Sequence, residues 1–217
     1  MQLTIEKLID EANIFVKHES NTTHQELLGT NDGKAIGTYI ERKFKNYLKS
    51  KYEITVGSSS KGIDLPDSHI NTDIKVTSIK RPQSSAPFKS IEQKIYGLGH
   101  NLLIFVYEKT DLNYKCYLNF KHVLFIYSEN TGDYTLTKKL RKMVKNNASE
   151  KEIINLLTKK NIPGDENNLK YLAKKILSTP PKQGYLTISN ALQWRLKYSN
   201  IFNMECEIEG VHKYDKI

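Results

Sequence analysis

Asn71-Thr72-Asp73-Ile74-Lys75-Val76-Thr77-Ser78 is the stretch that decides the fold. Its residues alternate. Ile74 and Val76 fall on one side of an extended chain, and Asp73, Lys75 and Thr77 fall on the other. That period of two predicts a strand with one face in the core. Asp73 and Lys75 then lie on the same face, about 6.6 Å apart by the rise of a strand. A carboxylate and an ammonium are thus held side by side on a rigid element. Asp64 lies nine residues earlier, near the end of a strand predicted over 62–65, and Pro66-Asp67-Ser68-His69-Ile70 supplies the connection. Pairing of the two strands brings Asp64 close to Asp73. Two clustered carboxylates repel unless a cation sits between them, and hard Mg²⁺ takes oxygen ligands.

Working outward, residues 3–17 carry a helical stripe of Leu8, Ile9, Ala12, Phe15 and Val16, followed by a polar loop over 20–33. A second helix is predicted from Gly33 to about Ser50, with Ile36, Ile40, Phe44, Tyr47 and Leu48 on one face. Glu41 lies on it, one turn after Gly37, whose missing side chain leaves room for a close approach. Glu41 also has a plain reading, a surface ion pair with Lys45 four residues on. A strand is expected over 52–56, with a Gly57-Ser58-Ser59-Ser60-Lys61 turn after it. Beyond the central strand, 81–87 reads as a Ser/Pro loop and 88–97 as a helix stopped by Gly97-Leu98-Gly99. The apolar run over 102–107 reads as a buried strand. Strands over 114–120 and 122–127 follow, then helices over 137–146, 149–160, 166–177 and 187–198. The expected fold is a mixed α/β core, a mixed central sheet flanked by helices, with a basic helical C-terminal part. The expected division is 1–135 for the core and 136–217 for the helical region.

The chain has 217 residues, with 33 Lys and Arg against 24 Asp and Glu, a formal net charge of +9. Aromatic residues make up 10%, too many for a disordered chain. No apolar run is long enough to cross a membrane, and the acidic start of the chain predicts no secretory leader. Cys116 and Cys206 cannot build a disulfide framework or a four-thiolate zinc site, so a reducing compartment, the cytoplasm, is expected. The positive charge is concentrated. Between Lys138 and Lys182 stand twelve Lys and Arg against four Asp and Glu, nearly the whole net charge. Such a cluster repels itself unless it meets a polyanion, and phosphate contact is the favoured reading.

Several patterns are set aside. Gly29-Thr30-Asn31-Asp32-Gly33-Lys34 is one residue short of a phosphate loop, lacks Ser or Thr after Lys34 and follows no strand. The six His have no metal-ligand spacing, and His100, just before the buried strand, reads as structural.

The succession of a helix with Glu41, a strand ending near Asp64, the Asp73-Ile74-Lys75 strand, a helix and a buried strand resembles the PD-(D/E)xK nuclease core. More narrowly it resembles the type II restriction endonucleases, over roughly residues 33–107. The resemblance implies sequence-specific, Mg²⁺-dependent cutting of double-stranded DNA that leaves 5′-phosphate ends. One or two Mg²⁺ ions would serve, with Mn²⁺ as a substitute. Asp64 and Asp73 would be metal ligands, Lys75 would position the attacking water, and Glu41 would be the auxiliary helix acid. The first acid of that family often follows a Pro. Here Ile63 precedes Asp64, and the Pro-Asp pair is Pro66-Asp67. Asp67 is only six residues before Asp73, in the predicted turn, so Asp64 is preferred. Gln93 and Tyr96 resemble a Gln/Tyr element of some branches, but their spacing is no firm match, and helix surface and core is the better reading.

Base-edge contacts specify a sequence, so polar residues on loops near the cleft are the candidate readers. They are Ser59, Ser60 and Lys61 before Asp64, and Arg81, Gln83, Ser84 and Ser85 after the central strand. Asn190, Gln193 and Arg195 join them on the helix predicted over 187–198. Cutting both strands of a palindrome suits a homodimer, and a cognate DNA methyltransferase belongs with such a system. Two rivals remain: a repair nickase or junction resolvase of the same fold, and a non-catalytic DNA-binding regulator.

Overall fold

The computed structural model describes residues 2–57, 62–189, 194–204 and 208–215. In chain order its elements are α1 (Ile5–Ser20), α2 (Gly33–Lys49), β1 (Thr72–Ser78), β2 (Gln83–Ala86), α3 (Gln93–Tyr96), β3 (Asn101–Leu112) and β4 (Lys115–Ile126). Then come α4 (Tyr134–Lys145), α5 (Glu150–Lys159), α6 (Glu166–Ser178), β5 (Thr187–Ser189), β6 (Trp194–Lys197), α7 (Ser199–Phe202) and β7 (Val211–Asp215). No helix among the described residues is long and apolar enough to cross a membrane.

The chain divides into two compact units. The first comprises Met1–Ser84, His100–Ile126 and Glu205–Ile217. Its sheet has the order β1-β3-β4-β7, with β1 parallel to β3 and the other pairs antiparallel. This is the mixed sheet expected of the core. The helices start where short polar side chains catch their first free amides: Lys7 donates to the Thr4 hydroxyl for α1, and Lys34 to Asp32 for α2. The stripes of both helices are buried, Phe15 from α1 and Phe44 from α2 among them. The rings of Phe15, Phe44, Phe105 and Phe120 pack in sequence, tilted and then edge to face, at centroid distances of 5.0, 5.0 and 6.1 Å. Truncating one such ring to Ala costs about 3–5 kcal/mol. β3 is buried continuously from Asn101 to Tyr107. Parallel pairing sets Asp73 opposite Leu102 and Lys75 opposite Ile104.

The second unit comprises Ser85–Gly99 and Tyr127–Met204. Helices α4 to α6 bury Leu136, Leu140, Ile153, Leu157, Leu172 and Ile176 around Ile95 of α3. Each helix has its cap: Asp133, Ser149 in a reciprocal capping box with Glu152, and Asp165. A small sheet runs β2-β6-β5. This partition differs from a single cut near residue 135. Residues 85–99 give Ile95 to the helical core, while β7 pairs with β4.

Several elements differ from expectation, each for a local reason. Residues 52–57 and 62–65 are irregular. Gly62 sits at φ +74°, Pro66 follows, and a single bridge between Leu65 and Thr72 does the pairing. The strands expected over 114–120 and 122–127 are one strand, β4. The apparent break at Lys121 is a bulge, since Tyr107 faces Phe120 while Val106 faces His122. The helix over 88–97 shrinks to α3, because the amides of Lys89 and Ser90 donate to the Gln93 side chain (2.8 and 3.3 Å) and Gly97 ends it at φ +93°. The loop over 81–87 contains β2. In place of a helix over 187–198 there are β5 and β6, because Trp194-Arg195-Leu196-Lys197 alternates buried and exposed residues.

Candidate active site

β1 is the edge strand of its sheet, so its outer backbone groups need partners. Leu65 and Thr72 exchange two backbone bonds of 2.9 Å. Two residues on, the Ile74 amide takes a side chain instead: it donates to Asp64 Oδ2 at 2.9 Å. Asp64 therefore stands in for a neighbouring strand's carbonyl, and that contact locks it beside Asp73. Gly57 secures the arrangement from behind. Its amide donates to the Asp64 carbonyl at 2.8 Å, and a Cβ there would lie 2.0 Å from the Ile63 carbonyl. Only glycine permits that approach.

Three charged side chains, Lys75, Lys45 and Glu41, meet around these acids. Lys75 Nζ lies 2.7 Å from Asp73 Oδ2, as expected of neighbours on one strand face. Lys45, from α2, bridges Glu41 Oε1 at 2.5 Å and Asp64 Oδ1 at 2.9 Å. Asp64 and Asp73 are only 8% and 5% exposed. Burial pushes the Asp73 carboxyl up to about 7, against the pull of Lys75 and with the help of Asp64. Burial also opposes the charge on Asp64. Hydrogen bonds from Asp73, Glu41, the Ile74 amide and Lys45 outweigh it and hold that carboxyl below its usual range. Glu41 is pushed up, chiefly by burial and then by Asp64. One acid thus keeps its charge at the expense of two neighbours, which is the electrostatic state of carboxylates gathered for a cation.

The family model described as Type II restriction enzyme NspV matches residues 2–213 of the chain. The Type II restriction enzyme NspV of Nostoc sp. (strain ATCC 29411 / PCC 7524) is 46% identical over 211 residues, 96% of this chain and 95% of that protein. The chain belongs to the NspV family of type II restriction enzymes. No solved structure matches it. The restriction endonuclease expected from Asp64, Asp73 and Lys75 is therefore the right class of enzyme, and its α/β core with a mixed sheet agrees with that fold.

In this NspV-family chain the acids suit a hard divalent ion. Among the described residues, no three His, Cys, Asp or Glu side chains are arranged to hold a metal by themselves. Mg²⁺ does not need such a cage. It commonly keeps several waters and takes one or two carboxylates together with substrate phosphates. Asp64 and Asp73, side by side at β1, are the carboxylates that would supply that pair. Asp67 is elsewhere: its Oδ2 accepts from the Thr55 amide at 2.9 Å, and its carbonyl closes the turn to Ile70 and Asn71. Gly37 faces Val76 of β1 at an ordinary distance, 3.8 Å from a Cβ placed on it to the Val76 carbonyl, so it seats α2 on the sheet.

Two residues with no role assigned from the sequence belong to the cluster. Lys45 joins Glu41 to Asp64, whereas sequence spacing offered it only as a surface partner of Glu41. His100 is buried, with Nε2 3.8 Å from Asp73 Oδ2. Its only sequence signal is its place just before the strand that pairs with β1.

Of the candidate DNA readers, Arg81 is exposed on the turn after β1 and Gln83 is exposed at the start of β2, its amide donating to Thr77 Oγ1 at 3.1 Å. Ser84 and Ser85 are half-buried in β2. Arg195 is exposed on β6. Ser59, Ser60, Lys61, Asn190 and Gln193 lie outside the described residues. Gln93 is a core residue of the second unit, its Oε1 accepting from Trp194 Nε1 at 3.0 Å. Tyr96 donates to the Thr179 carbonyl at 2.9 Å.

Proposed function

We propose that this enzyme is a Mg²⁺-dependent endonuclease cutting both strands of a specific site in double-stranded DNA, with Asp64, Asp73 and Lys75 as its catalytic set. The observation that carries this is the 2.7 Å pair of Asp73 and Lys75 on β1, with Asp64 pinned to the same strand through the Ile74 amide. Asp64 and Asp73 would hold the metal, with Mn²⁺ as a working substitute. The ion, when bound, supplies positive charge to the phosphate as negative charge builds on it. Lys75 holds a water in line with the scissile phosphorus and stabilises the same charge. The water oxygen bonds to phosphorus and gives up a proton to solvent, the bond to the 3′ oxygen breaks, and that oxygen takes up a proton from solvent, so that the products are a 5′-phosphate and a 3′-hydroxyl. Glu41 acts as the auxiliary acid on α2.

Arg81, Gln83 and Arg195 are exposed polar residues able to reach base edges or phosphates. On α4, Lys138, Lys139, Lys142 and Lys145 are exposed on the face opposite Leu136 and Leu140, and we assign them to the phosphate backbone. The enzyme works as a homodimer on a palindromic site in the cytoplasm, with a cognate methyltransferase protecting the host's own DNA.

The test is digestion of unmethylated phage DNA by wild type, Asp73→Asn and Lys75→Met, with Mg²⁺ and with EDTA. Discrete fragments with 5′-phosphate ends are expected only from wild type with Mg²⁺. Lys75→Met should lose roughly 10²–10³-fold in rate while still binding the site. Cutting by Asp73→Asn at the wild-type rate would overturn the assignment. Nicks without double-strand breaks would move the enzyme to the nickase reading.

A further inference from the structure

Lys45 is the least ordinary member of the acid cluster. It arises from α2, one turn after Glu41, and its side chain is only 16% exposed. A simple i,i+4 surface pair would leave the ammonium in water, touching one carboxylate. Here it leaves the helix surface to bond Glu41 Oε1 at 2.5 Å and Asp64 Oδ1 at 2.9 Å. The site therefore contains two cations of its own. Lys75 serves Asp73, and Lys45 serves Asp64 and Glu41. The two oxygen donors on Lys45 are those a second divalent ion would need, one from the helix acid and one from the shared acid.

We propose that Lys45 is a resident cation that takes the place of a second divalent ion, so that each chain binds one divalent ion, held by Asp64 and Asp73. This rests on the reading of those two acids as metal ligands. Lys45 touches neither water nor phosphate in this role. It is a positioning residue that fixes Asp64 and Glu41 and restrains their repulsion before any metal arrives. A fixed ammonium cannot diffuse away, so this half of the site is assembled at any metal concentration. It also limits the total positive charge the carboxylates draw in.

The experiment counts Mn²⁺ bound per chain by electron paramagnetic resonance, without DNA, for wild type, Lys45→Met, Lys45→Arg and Asp73→Asn. Melting curves are run on each protein with and without Mn²⁺. Wild type is expected to bind one ion. Lys45→Met removes the charge and keeps the bulk. It is expected either to bind a second ion or to bind the first about tenfold more tightly, since a neighbouring unit charge shifts such equilibria by about that much or more. Its melting temperature should fall without Mn²⁺ and recover with it. A purely structural lysine would lower both melting temperatures and gain no ion. Lys45→Arg keeps the charge and is expected to bind one ion at wild-type affinity. Two ions on wild type would overturn the proposal, as would wild-type stoichiometry and affinity in Lys45→Met. Asp73→Asn separates the two failures. If it binds Mn²⁺ as well as wild type does, the acids themselves are misassigned. If it loses the ion while Lys45→Met behaves as wild type, only the role of Lys45 falls.

Discussion

His24 is fully buried, and its Nε2 donates to the Glu19 carbonyl at 3.0 Å. Its Nδ1 faces the Glu19 carboxylate at 3.7 Å, with Lys43 bonded to that same carboxylate at 2.6 Å. Burial lowers the imidazole's affinity for a proton below the ordinary value of 6.5, and the pull of Glu19 does not restore it. Below pH 6.5 the unfolded chain takes up this proton and the folded chain resists, so the unfolded state binds more protons. The stability from neutral His24 is full above 6.5 and drains away as pH falls below it. His24→Gln should melt at a lower temperature at pH 8 but lose less on going to pH 5.5. Parallel wild-type and variant curves across that range would refute the assignment. The proposed catalytic trio was readable at this scale. Asp73 and Lys75 follow from a period of two, and Asp64 from the chain length between strands. Lys45 and His100 were not readable, because their places depend on how α2 and the start of β3 approach β1.

The long helices α1, α2 and α4 to α6 were the most legible elements, because each carries both a stripe and a cap, whereas α3 and α7 have no capping side chain. Asp133, Ser149 and Asp165 stand at the starts of α4, α5 and α6. Strands that depend on a single side-chain contact were the least legible. Asp64 reaches its place through the Ile74 amide and one bridge, without a regular strand beneath it. The turn between β3 and β4 also hides a strain. Asn113 and Tyr114 both have positive φ, +50° and +58°, the two-residue turn that favours Asn followed by Gly. Tyr114 is 89% exposed, so its ring gains little by packing. A left-handed conformation costs a residue with a Cβ about 1–2 kcal/mol, and Gly gives back roughly 0.5–1 of that in chain entropy. Tyr114→Gly should therefore stabilise the protein by about 0.5–1 kcal/mol, read as a higher melting temperature. An unchanged or lower value would show that the ring makes up for its strained backbone.

For the molecule as a whole, the question is what the uneven charge does. The sequence places nearly all of the net charge between Lys138 and Lys182, and most of those lysines are exposed on the helices of the second unit. Some are already matched: Lys170 with Glu166 at 2.6 Å, and Lys175 with Glu92 at 2.6 Å. Lys139, Lys142 and Lys145 of α4 are exposed together on one face, which makes them the sharper probe. Phosphate contacts release counterions, so the logarithm of the DNA affinity falls against the logarithm of salt by about 0.9 for each phosphate neutralised on a duplex. Replacing all three with Gln should reduce that slope by about 2–3 if each meets a phosphate. The loss should be equal on cognate and unrelated duplexes, leaving their ratio unchanged, because backbone contacts carry no sequence information. Binding is measured with Asp73→Asn in the background, so that no DNA is cut during the titration. An unchanged slope would mean that this face does not touch DNA. A change confined to the cognate duplex would mean that the same lysines read bases.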